Sequence, residues 1–588
     1  MIRPASVLLF FLLGFHPAAF AVDTLNPEQI QPGMKGYGLS VFKGTRPERF
    51  GVEVMGVLKN VMPKQDMILI RLSGADLEKH KVIAGMSGSP IYINDKLIGA
   101  LAYGWTFEND PLAGVTPIRN MMAQLSRPVV PLSTVMASVS LGRSSATPTI
   151  FSLPDRLLPR DAGGLDSLRP LLTPLSFGGF SPGVIGELAS KFTGLGMMPM
   201  VAGGAGSVPL PRRSGDIEPG GAIGVQLMRG DLNMTAVGTA TYMEKNRILA
   251  FGHPFLQSGS IEAPAVLAEV HTIMSSVSSS FKLATPVAEI GAMVGDWQSC
   301  IVADATTRAR MIPLTIDAVN HNTGQSEHYD VEIMDNQAFT GPLTMVAVAQ
   351  TVSAASGSSQ DTTTRITVSA DLGPRKAGGS RRTVTESDTF FNEGGGILNM
   401  EGLTPLVAMV NTPFGSPTIT RMQVKVDATM GRQTAEIRRA YFGKSEVERG
   451  ETVPLSVVLK PFGKEEVTRT IPIPVPAASD TMRYLTVSVL PGSVAPTDAA
   501  TPDSLDEFLD VIEKSHHNTD LVALTPTPSQ GMQYRGKLLK NLPPSAVGVL
   551  EDSSTGNMTP VANLQQIIEP TDWVLSGQAT VRVPIRQE

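Results

Sequence analysis

The segment Gly85–Pro90, Gly-Met-Ser-Gly-Ser-Pro, places Ser87 between two glycines. A serine hydroxyl is a weak nucleophile at neutral pH. It attacks a carbonyl carbon only when a base takes its proton and N–H donors stabilise the oxyanion that forms. Glycines allow the unusual backbone angles and the close approach of a substrate that such a turn requires. Ser87 is therefore a candidate nucleophile, and the amides of Gly85 and Ser87 are the candidate oxyanion hole.

Two other interpretations of this segment have to be weighed. The nucleophile elbow, Gly-x-Ser-x-Gly, does not fit, because Ser89 occupies the fifth position and a strand pattern rather than a helix pattern follows. A plain tight turn stays open, since the chain contains 56 glycines and short Gly/Ser matches occur easily in such a composition.

Ser87 needs a base, which is usually a histidine, and three histidines are candidates. His253, in Leu-Ala-Phe-Gly-His-Pro-Phe, follows an apolar strand and is the preferred candidate; His271 is the second. His80 precedes the serine by only seven residues, in a charged stretch, and reach to the hydroxyl is not expected from there. A structural role stays open for each of these histidines.

The residues after the serine motif alternate as a strand, a turn at Asn94-Asp95 and a second strand that ends at Gly104-Trp105. Trypsin-like peptidases show the same succession of motif, strand, turn and strand. In that arrangement the strand that ends near Gly104 pairs with an extended substrate, and Gly104 and Trp105 are predicted to bind it.

These motifs resemble the SpoIVB-type (stage IV sporulation) serine peptidase family. The segment 33–122 carries most of the likeness, and 220–301, with its Gly-His dipeptide, carries the rest. The resemblance implies a trypsin-like double β-barrel that cleaves proteins at or near a membrane, with Ser87 as nucleophile and His253 as base. Here the serine precedes the histidine, which reverses the order in the family, and the PDZ-type regulatory domain of the family is not evident.

The family's orienting aspartate maps near Ser73-Gly74, where no acid is present. Asp76 lies close to that position in sequence, but beyond the predicted end of the strand. Asp296, in Val-Gly-Asp-Trp-Gln-Ser, is the tentative alternative as the residue that orients His253.

Composition restricts the remaining function classes. The net charge of −6 over 588 residues gives no basic surface for nucleic acid or an anionic membrane. Cys300 is the only cysteine, so an internal disulfide and a cysteine-based zinc site are excluded, and the histidines show no metal-binding spacing. No cofactor is expected. The expected partner is a protein or peptide substrate, and envelope or membrane-associated proteins are further candidates.

The N-terminus predicts export. Arg3, the apolar run 7–15 and Ala19-Phe20-Ala21 have the layout of a signal peptide, with a mature chain that begins near Val22. An uncleaved anchor is the alternative. The expected compartment is the periplasm, the cell envelope or the extracellular space.

The fold class predicted is mainly β: a trypsin-like double β-barrel peptidase unit, a long linker and a C-terminal β-sandwich-like region. The weak similarity in layout between residues 218–255 and the segment after residue 31 suggests two related halves. The expected divisions are 1–21 (signal peptide), 22–130 (serine half), 131–219 (Pro/Gly/Ser-rich linker with a short helix), 220–320 (histidine half), 321–424 (mixed β region) and 425–588 (sandwich with one amphipathic helix).

Three functions are compatible with these residues. The first is a secreted or envelope serine endopeptidase, the second an inactive peptidase-like scaffold that binds envelope proteins or extended peptides, and the third an envelope structural protein.

Overall fold

The computed structural model describes most of residues 22–586. The segments outside the described residues are 1–21, 106–109, 129–167, 205, 207, 214–215, 277, 357–360, 375–380, 394–407, 410–411, 413, 415–416, 478–481, 497–501, 503, 535–536, 540–541, 544, 549–557 and 587–588. The predicted signal peptide and residues 131–167 of the predicted linker therefore lie outside the described residues.

The first unit is a closed six-stranded barrel, barrel 1. Its strands are β1 (Lys35–Ser40), β2 (Glu48–Met62), β3 (Gln65–Ser73), β4 (Pro90–Ile93), β5 (Lys96–Gly104) and β6 (Leu112–Pro117). The ring runs β1-β2-β3-β6-β5-β4 and closes from β4 back to β1, with every pair antiparallel. Asn94 and Asp95 have φ of 52° and 59°, which is the geometry expected of the two-residue hairpin turn predicted there.

A second six-stranded ring, barrel 2, has the same connectivity. Its strands are β10 (Ala222–Gly230), β11 (Asn233–Glu244), β12 (Arg247–Ala250), β13 (Gly259–Met274), β14 (Phe281–Trp297) and β15 (Cys300–Asp304). The ring runs β10-β11-β12-β15-β14-β13 and closes from β13 to β10. Counted within each barrel, both orders are 1-2-3-6-5-4, so the two halves predicted from the sequence share one topology.

Each barrel contributes the same connection to the interface between them. The segment between β3 and β4 carries Ser87, and the segment between β12 and β13 carries His253. Both segments join the third strand of a barrel to its fourth, and the duplicated topology therefore supplies one candidate group from each half.

The described part of the predicted linker joins the barrels. Its elements are β7 (Arg169–Pro170), β8 (Thr173–Gly178), α3 (Pro182–Thr193) and β9 (Met197–Val201). Strand β8 pairs with β11, and β9 extends that sheet in parallel. The Ser-Pro pair in the sequence predicts a helix that Ser181 caps and Pro182 starts. Helix α3 begins there, but the Ser181 side chain makes no capping bond, and its N–H donates to Gln350.

Barrel 2 continues into a larger sheet. The added elements are β16 (Met311–Asn320), β17 (Ser326–Met334), α4 (Thr340–Ser356), β18 (Thr362–Leu372), β19 (Arg382–Asn392) and β20 (Ile419–Met430). Strand β17 pairs with β10, and β20 lies parallel to β16. The proposed divisions at 320 and 424 therefore fall within one continuous sheet.

The C-terminal region forms two sheets around one apolar cluster, as expected of a β-sandwich. The first sheet contains β21 (Thr434–Phe442), β22 (Thr452–Pro461), β23 (Val467–Pro474) and β28 (Val574–Gly577); the second contains β24 (Tyr484–Pro491), β25 (Asp520–Tyr534), β26 (Lys537–Leu539), β27 (Met558–Pro570) and β29 (Ala579–Pro584). The amphipathic helix α5 (Leu505–Glu513) buries its predicted apolar face in the core of the large sheet rather than in the sandwich.

The remaining helices are short. A 3-10 turn spans Pro27–Gln29, α1 spans Leu77–His80 and α2 spans Ile118–Met122. The sequence predicts Thr116 as the cap of α2, and this is wrong, because the Thr116 hydroxyl donates to the carbonyl of Gly252 in barrel 2. Among the described helices, none combines the length and hydrophobicity that crossing a membrane requires.

The close contact between the barrels at Gly88 can be tested by adding a single methyl group. Gly88 has φ of +96°, and a Cβ there would lie 1.9 Å from the carbonyl oxygen of Thr239 and 2.5 Å from the nitrogen of Phe251. We expect Gly88→Ala to lower the free energy of unfolding by about 3 kcal/mol or more, since the backbone of barrel 2 has to move. Equilibrium denaturation measures this.

Gly33→Ala is the matched control, because Gly33 has φ of +84° and nothing lies within 4 Å of a Cβ at that position. It should lower the free energy of unfolding by only ~1–2 kcal/mol, the strain of a left-handed backbone at a residue with a side chain. Equal stability of the two variants would contradict the backbone contact between the barrels.

Candidate active site

The serine loop is held in a sharp turn by its own backbone. Gly85 and Gly88 have φ of +94° and +96°, a region that L side chains rarely adopt. The N–H of Met86 donates to Ile83, and the N–H of Ser89 donates to Met86. The N–H of Gly88 donates to Leu101 of β5. The glycines therefore permit the turn, and the backbone bonds fix Ser87 at its apex.

The N–H groups of Gly85 and Ser87 are unpaired among the described residues. Both residues are buried, and their carbonyls accept hydrogen bonds from barrel 2. Within the described residues, neither N–H donates to a backbone or side-chain acceptor. Buried N–H groups are almost always paired in folded proteins. Two unpaired donors on one turn are what an oxyanion hole requires.

Thr239 of β11 links the serine loop to the histidine loop. Its N–H donates to the Ser87 carbonyl at 2.8 Å, and its carbonyl accepts from the N–H of Phe251 at 3.2 Å. Its hydroxyl donates to the carbonyl of Gly85 at 2.9 Å. Ser87 and His253 are far apart in sequence, yet one residue contacts both of the loops that carry them.

The hydrogen bond at Nδ1 fixes the tautomer of His253. Nδ1 lies 2.7 Å from the carbonyl oxygen of Pro254. A carbonyl oxygen can only accept, so Nδ1 carries the proton and Nε2 presents a lone pair in the neutral ring. Burial lowers the pKa of His253 to about 4, against a smaller opposing effect of the bond to Pro254. The ring is therefore neutral at physiological pH, in the form that a general base needs.

Ser87 and His253 are not hydrogen-bonded to each other in this conformation. Among the described residues, neither Ser87 Oγ nor His253 Nε2 has a hydrogen-bond partner, and both residues are at most 2% exposed. Catalytic hydrogen bonds are often absent before substrate binds, so this geometry does not exclude the pair.

Asp296, the tentative orienting acid, contacts the histidine loop rather than the imidazole. Its carboxylate accepts from the N–H groups of Phe255 and Leu256 at 2.8 and 2.6 Å, and from that of Ser258 at 3.2 Å. Burial raises the pKa of Asp296 to about 6, although these N–H donors oppose the effect. Asp296 therefore shapes the backbone after His253, and the Pro254 carbonyl holds the ring.

Lys282 carries a buried amine that was not predicted from the sequence. It lies on β14 with no exposed surface, and its Nζ donates to Ser40 Oγ at 2.9 Å and to Thr239 Oγ1 at 3.1 Å. Ser89 Oγ donates to the carbonyl of Met86 at 2.7 Å and lies 3.1 Å from the same Ser40 hydroxyl. Lys282 thereby connects β1 and the serine loop of barrel 1 to β11 of barrel 2. Its aliphatic carbons lie 3.2–3.3 Å from the position of a Cβ on Gly85.

The other histidine candidates lie apart from this cluster. His80 ends α1, and within the described residues its Nδ1 has no partner. His271 is exposed on β13, where its Nε2 pairs with Thr285 Oγ1. Asp76 is the N-terminal flanking residue of α1, and Ser73 ends β3.

Across the described residues, no group of three or more His, Cys, Asp or Glu side chains could hold a metal ion.

A segment of this chain lies against the edge where a substrate was predicted. Gly104 pairs with Arg169, and Tyr103 pairs with Pro170, in antiparallel register. Trp105 follows the end of β5 and is partly exposed. The predicted substrate positions are thus next to residues 169–170 of the predicted linker.

Lys282 makes a testable contribution to stability. Burial lowers its pKa from 10.5 to about 7. Between pH 7 and 10.5 the unfolded chain therefore binds more protons than the folded protein, and the free energy of unfolding rises with pH by at most ~1.4 kcal/mol per unit. We expect Lys282→Met to remove this rise when chemical denaturation is measured between pH 7 and 9.

Lys425→Met, at an exposed position on β20, is the control and should keep the wild-type pH dependence. A wild-type profile that matches that of Lys282→Met across this range would show that the folded lysine keeps its proton.

The comparison with known protein families finds a match that covers barrel 1. Residues 21–122 match the model of the SpoIVB peptidase S55 family, a segment that contains barrel 1 and Ser87 but not His253. No curated protein and no solved structure matches the chain. The chain therefore resembles the SpoIVB serine peptidases over the unit that carries the candidate nucleophile.

Proposed function

We propose that this chain is a serine endopeptidase in which Ser87 is the nucleophile and His253 is the general base. The observation that carries the proposal is the convergence at Thr239. It joins a serine loop with two unpaired N–H donors to a histidine loop whose ring is held in the base-competent tautomer. The match of residues 21–122 to a peptidase family supports the same chemistry.

The mechanism requires few groups beyond these. Ser87 Oγ attacks the carbonyl carbon of the scissile peptide bond while His253 Nε2 accepts its proton. The N–H groups of Gly85 and Ser87 stabilise the negative charge on the carbonyl oxygen. The imidazolium then donates its proton to the leaving amine, and water repeats the sequence on the acyl-enzyme. Pro254, through its carbonyl, keeps the ring oriented throughout.

Burial of the site indicates that the described conformation is closed. Ser87 and His253 are 0% and 2% exposed. A protein substrate cannot reach them until the loops or the neighbouring segment move, so turnover involves an opening step.

Ser87→Ala is the primary test. Loss of a nucleophilic serine should lower the rate of hydrolysis of an unfolded protein such as casein by ~10⁴–10⁶-fold. A fluorophosphonate probe should label Ser87, as mapped by mass spectrometry, and labelling should be lost in both Ser87→Ala and His253→Ala.

His271→Ala is the matched control, because it removes a second histidine of barrel 2 that is exposed and bonded to Thr285. It should keep both activity and labelling. Undiminished hydrolysis by Ser87→Ala, or labelling of a different serine, would refute the assignment.

An inactive scaffold that binds extended peptides is the second candidate. It is favoured by the missing hydrogen bond between Ser87 and His253 and by the contact of Asp296 with the loop instead of the ring. Leu171 is a buried residue that follows Arg169 and Pro170 and donates its N–H to the carbonyl of Ala102 in β5. A scaffold would leave Ser87 unlabelled even in Leu171→Asp, which removes this apolar contact.

The compartment and the partners belong to the same proposal. The N-terminal signal pattern supports export to the periplasm, the envelope or the medium. The substrate class is a protein or peptide in extended conformation, and envelope or membrane-associated proteins are the natural candidates in that location. The low net charge gives no reason to expect nucleic acid as a partner.

A further inference from the structure

The edge of β5 next to the serine loop is occupied by the chain itself. Leu171 donates its N–H to the carbonyl of Ala102 at 2.9 Å, and Arg169 pairs with Gly104. The pairing is antiparallel and involves the last three residues of the strand, beyond the part of β5 that pairs with β4. This is how an extended peptide adds to an exposed sheet edge.

The paired segment lies beside the serine loop. Leu101, which precedes Ala102, exchanges backbone hydrogen bonds with the serine loop at Gly88 and Ser89. Farther along the segment, the ring of Pro174 lies 3.2 Å from the position of a Cβ on Gly85. The chain therefore runs from the end of β5 to the candidate oxyanion loop, the course that a bound substrate would follow.

Two leucines flank the paired residues: partly buried Leu168 packs against the cluster of Ala102 and Tyr103, and Leu171 is the more deeply buried anchor. Leu171 is 9% exposed and belongs to the apolar cluster of barrel 1 that contains Met86 and Leu101. Its Cδ2 lies 2.9 Å from the position of a Cβ on Gly104, so any larger residue at 104 would displace it. Arg169 and Pro170, in contrast, are exposed. The contact thus includes a short backbone pairing, the buried side chain of Leu171 and the partly buried side chain of Leu168.

We propose that Arg169–Leu171 is an internal pseudosubstrate strand that blocks the substrate edge of β5, and that the site that holds Leu171 selects an aliphatic side chain in a bound peptide. The substrate identity rests on the proposed function, whereas occupation of a peptide-binding edge does not require catalysis. A strand of two residues has little pairing of its own, and a competing peptide can therefore replace it.

Glycine at 104 fits this role. Its lack of a side chain lets the Leu171 methyl group approach the β5 backbone, and the same space would be open to a substrate residue. The specificity expected is for extended peptides with leucine or a similar aliphatic residue opposite Ala102. A charged residue at that position would be buried without a partner and should be rejected.

Peptide binding to the Ser87→Ala protein tests the proposal without turnover. The probe is fluorescein-labelled Leu-Arg-Pro-Leu-Leu-Thr, the sequence of residues 168–173. Fluorescence polarisation should give an apparent affinity at least about tenfold higher for Ser87→Ala/Leu171→Asp than for Ser87→Ala, because the occupied edge lowers the fraction of competent protein. The same peptide with aspartate in place of the leucine that corresponds to Leu171 should bind at least about tenfold more weakly.

Leu172→Asp is the matched control, since it changes the adjacent leucine, which is only half-buried, and leaves the anchor in place. In the Ser87→Ala background it should bind like Ser87→Ala alone. Leu171→Ala serves as a milder second variant if aspartate disturbs folding, and circular dichroism checks each protein. The proposal would be overturned if the peptide bound equally well to Ser87→Ala and to Ser87→Ala/Leu171→Asp, or if it bound to none of the variants.

The peptide-binding result and the Ser87 labelling result test the two proposals separately. Release of the peptide edge in Leu171→Asp without labelling of Ser87 would support the pseudosubstrate strand and refute the peptidase. Labelling of Ser87 together with equal peptide binding in all variants would support the peptidase and refute the strand.

Discussion

The architecture of the candidate site depends on hydrogen bonds that barrel 2 donates to backbone carbonyls of barrel 1. The carbonyls of Gly85, Ser87 and Gly88 accept from the Thr239 hydroxyl, the Thr239 N–H and the Thr241 hydroxyl, respectively. A buried carbonyl without a donor costs free energy, so barrel 1 alone would leave the serine loop unsatisfied. The loop therefore acquires its shape only when the two barrels are packed together, which ties formation of the site to assembly of the whole unit.

The duplicated topology explains why the reversed order of serine and histidine is no obstacle. In both barrels the connection from the third to the fourth strand faces the interface, and barrel 1 supplies Ser87 while barrel 2 supplies His253. The chemistry needs one hydroxyl and one imidazole at that interface, and it does not depend on which barrel comes first. The long segment between them adds little to the entropic cost, because closure entropy grows only with the logarithm of length.

The features that the sequence predicts correctly are those that neighbouring residues determine. The turn at Asn94-Asp95, the start of α3 and the apolar face of α5 follow from turn chemistry and periodicity alone. Lys282 was missed although its position in the strand pattern indicates burial. It occupies an inward position of β14, on the same face as Ala284 and Ala288. A lysine in that register is buried, but its partners Ser40 and Thr239 come from distant strands. The parallel pairing of β20 with β16 was equally hidden, since it joins strands about a hundred residues apart.

The contact between His253 and Pro254 bears on how the proposed peptidase would be controlled. A carbonyl fixes the tautomer as a carboxylate would, but it carries no net charge to stabilise the imidazolium that forms when Ser87 loses its proton. In the closed site this charge is also desolvated, which is why the pKa of His253 falls to about 4 and the ring is a weak base. Opening the site to water or to a polar substrate would reduce that penalty and move the pKa toward the ordinary value of 6.5. Two features would thus suppress turnover in the closed protein: the segment at β5 occupies the substrate edge, and burial of His253 disfavours the charged form of the base.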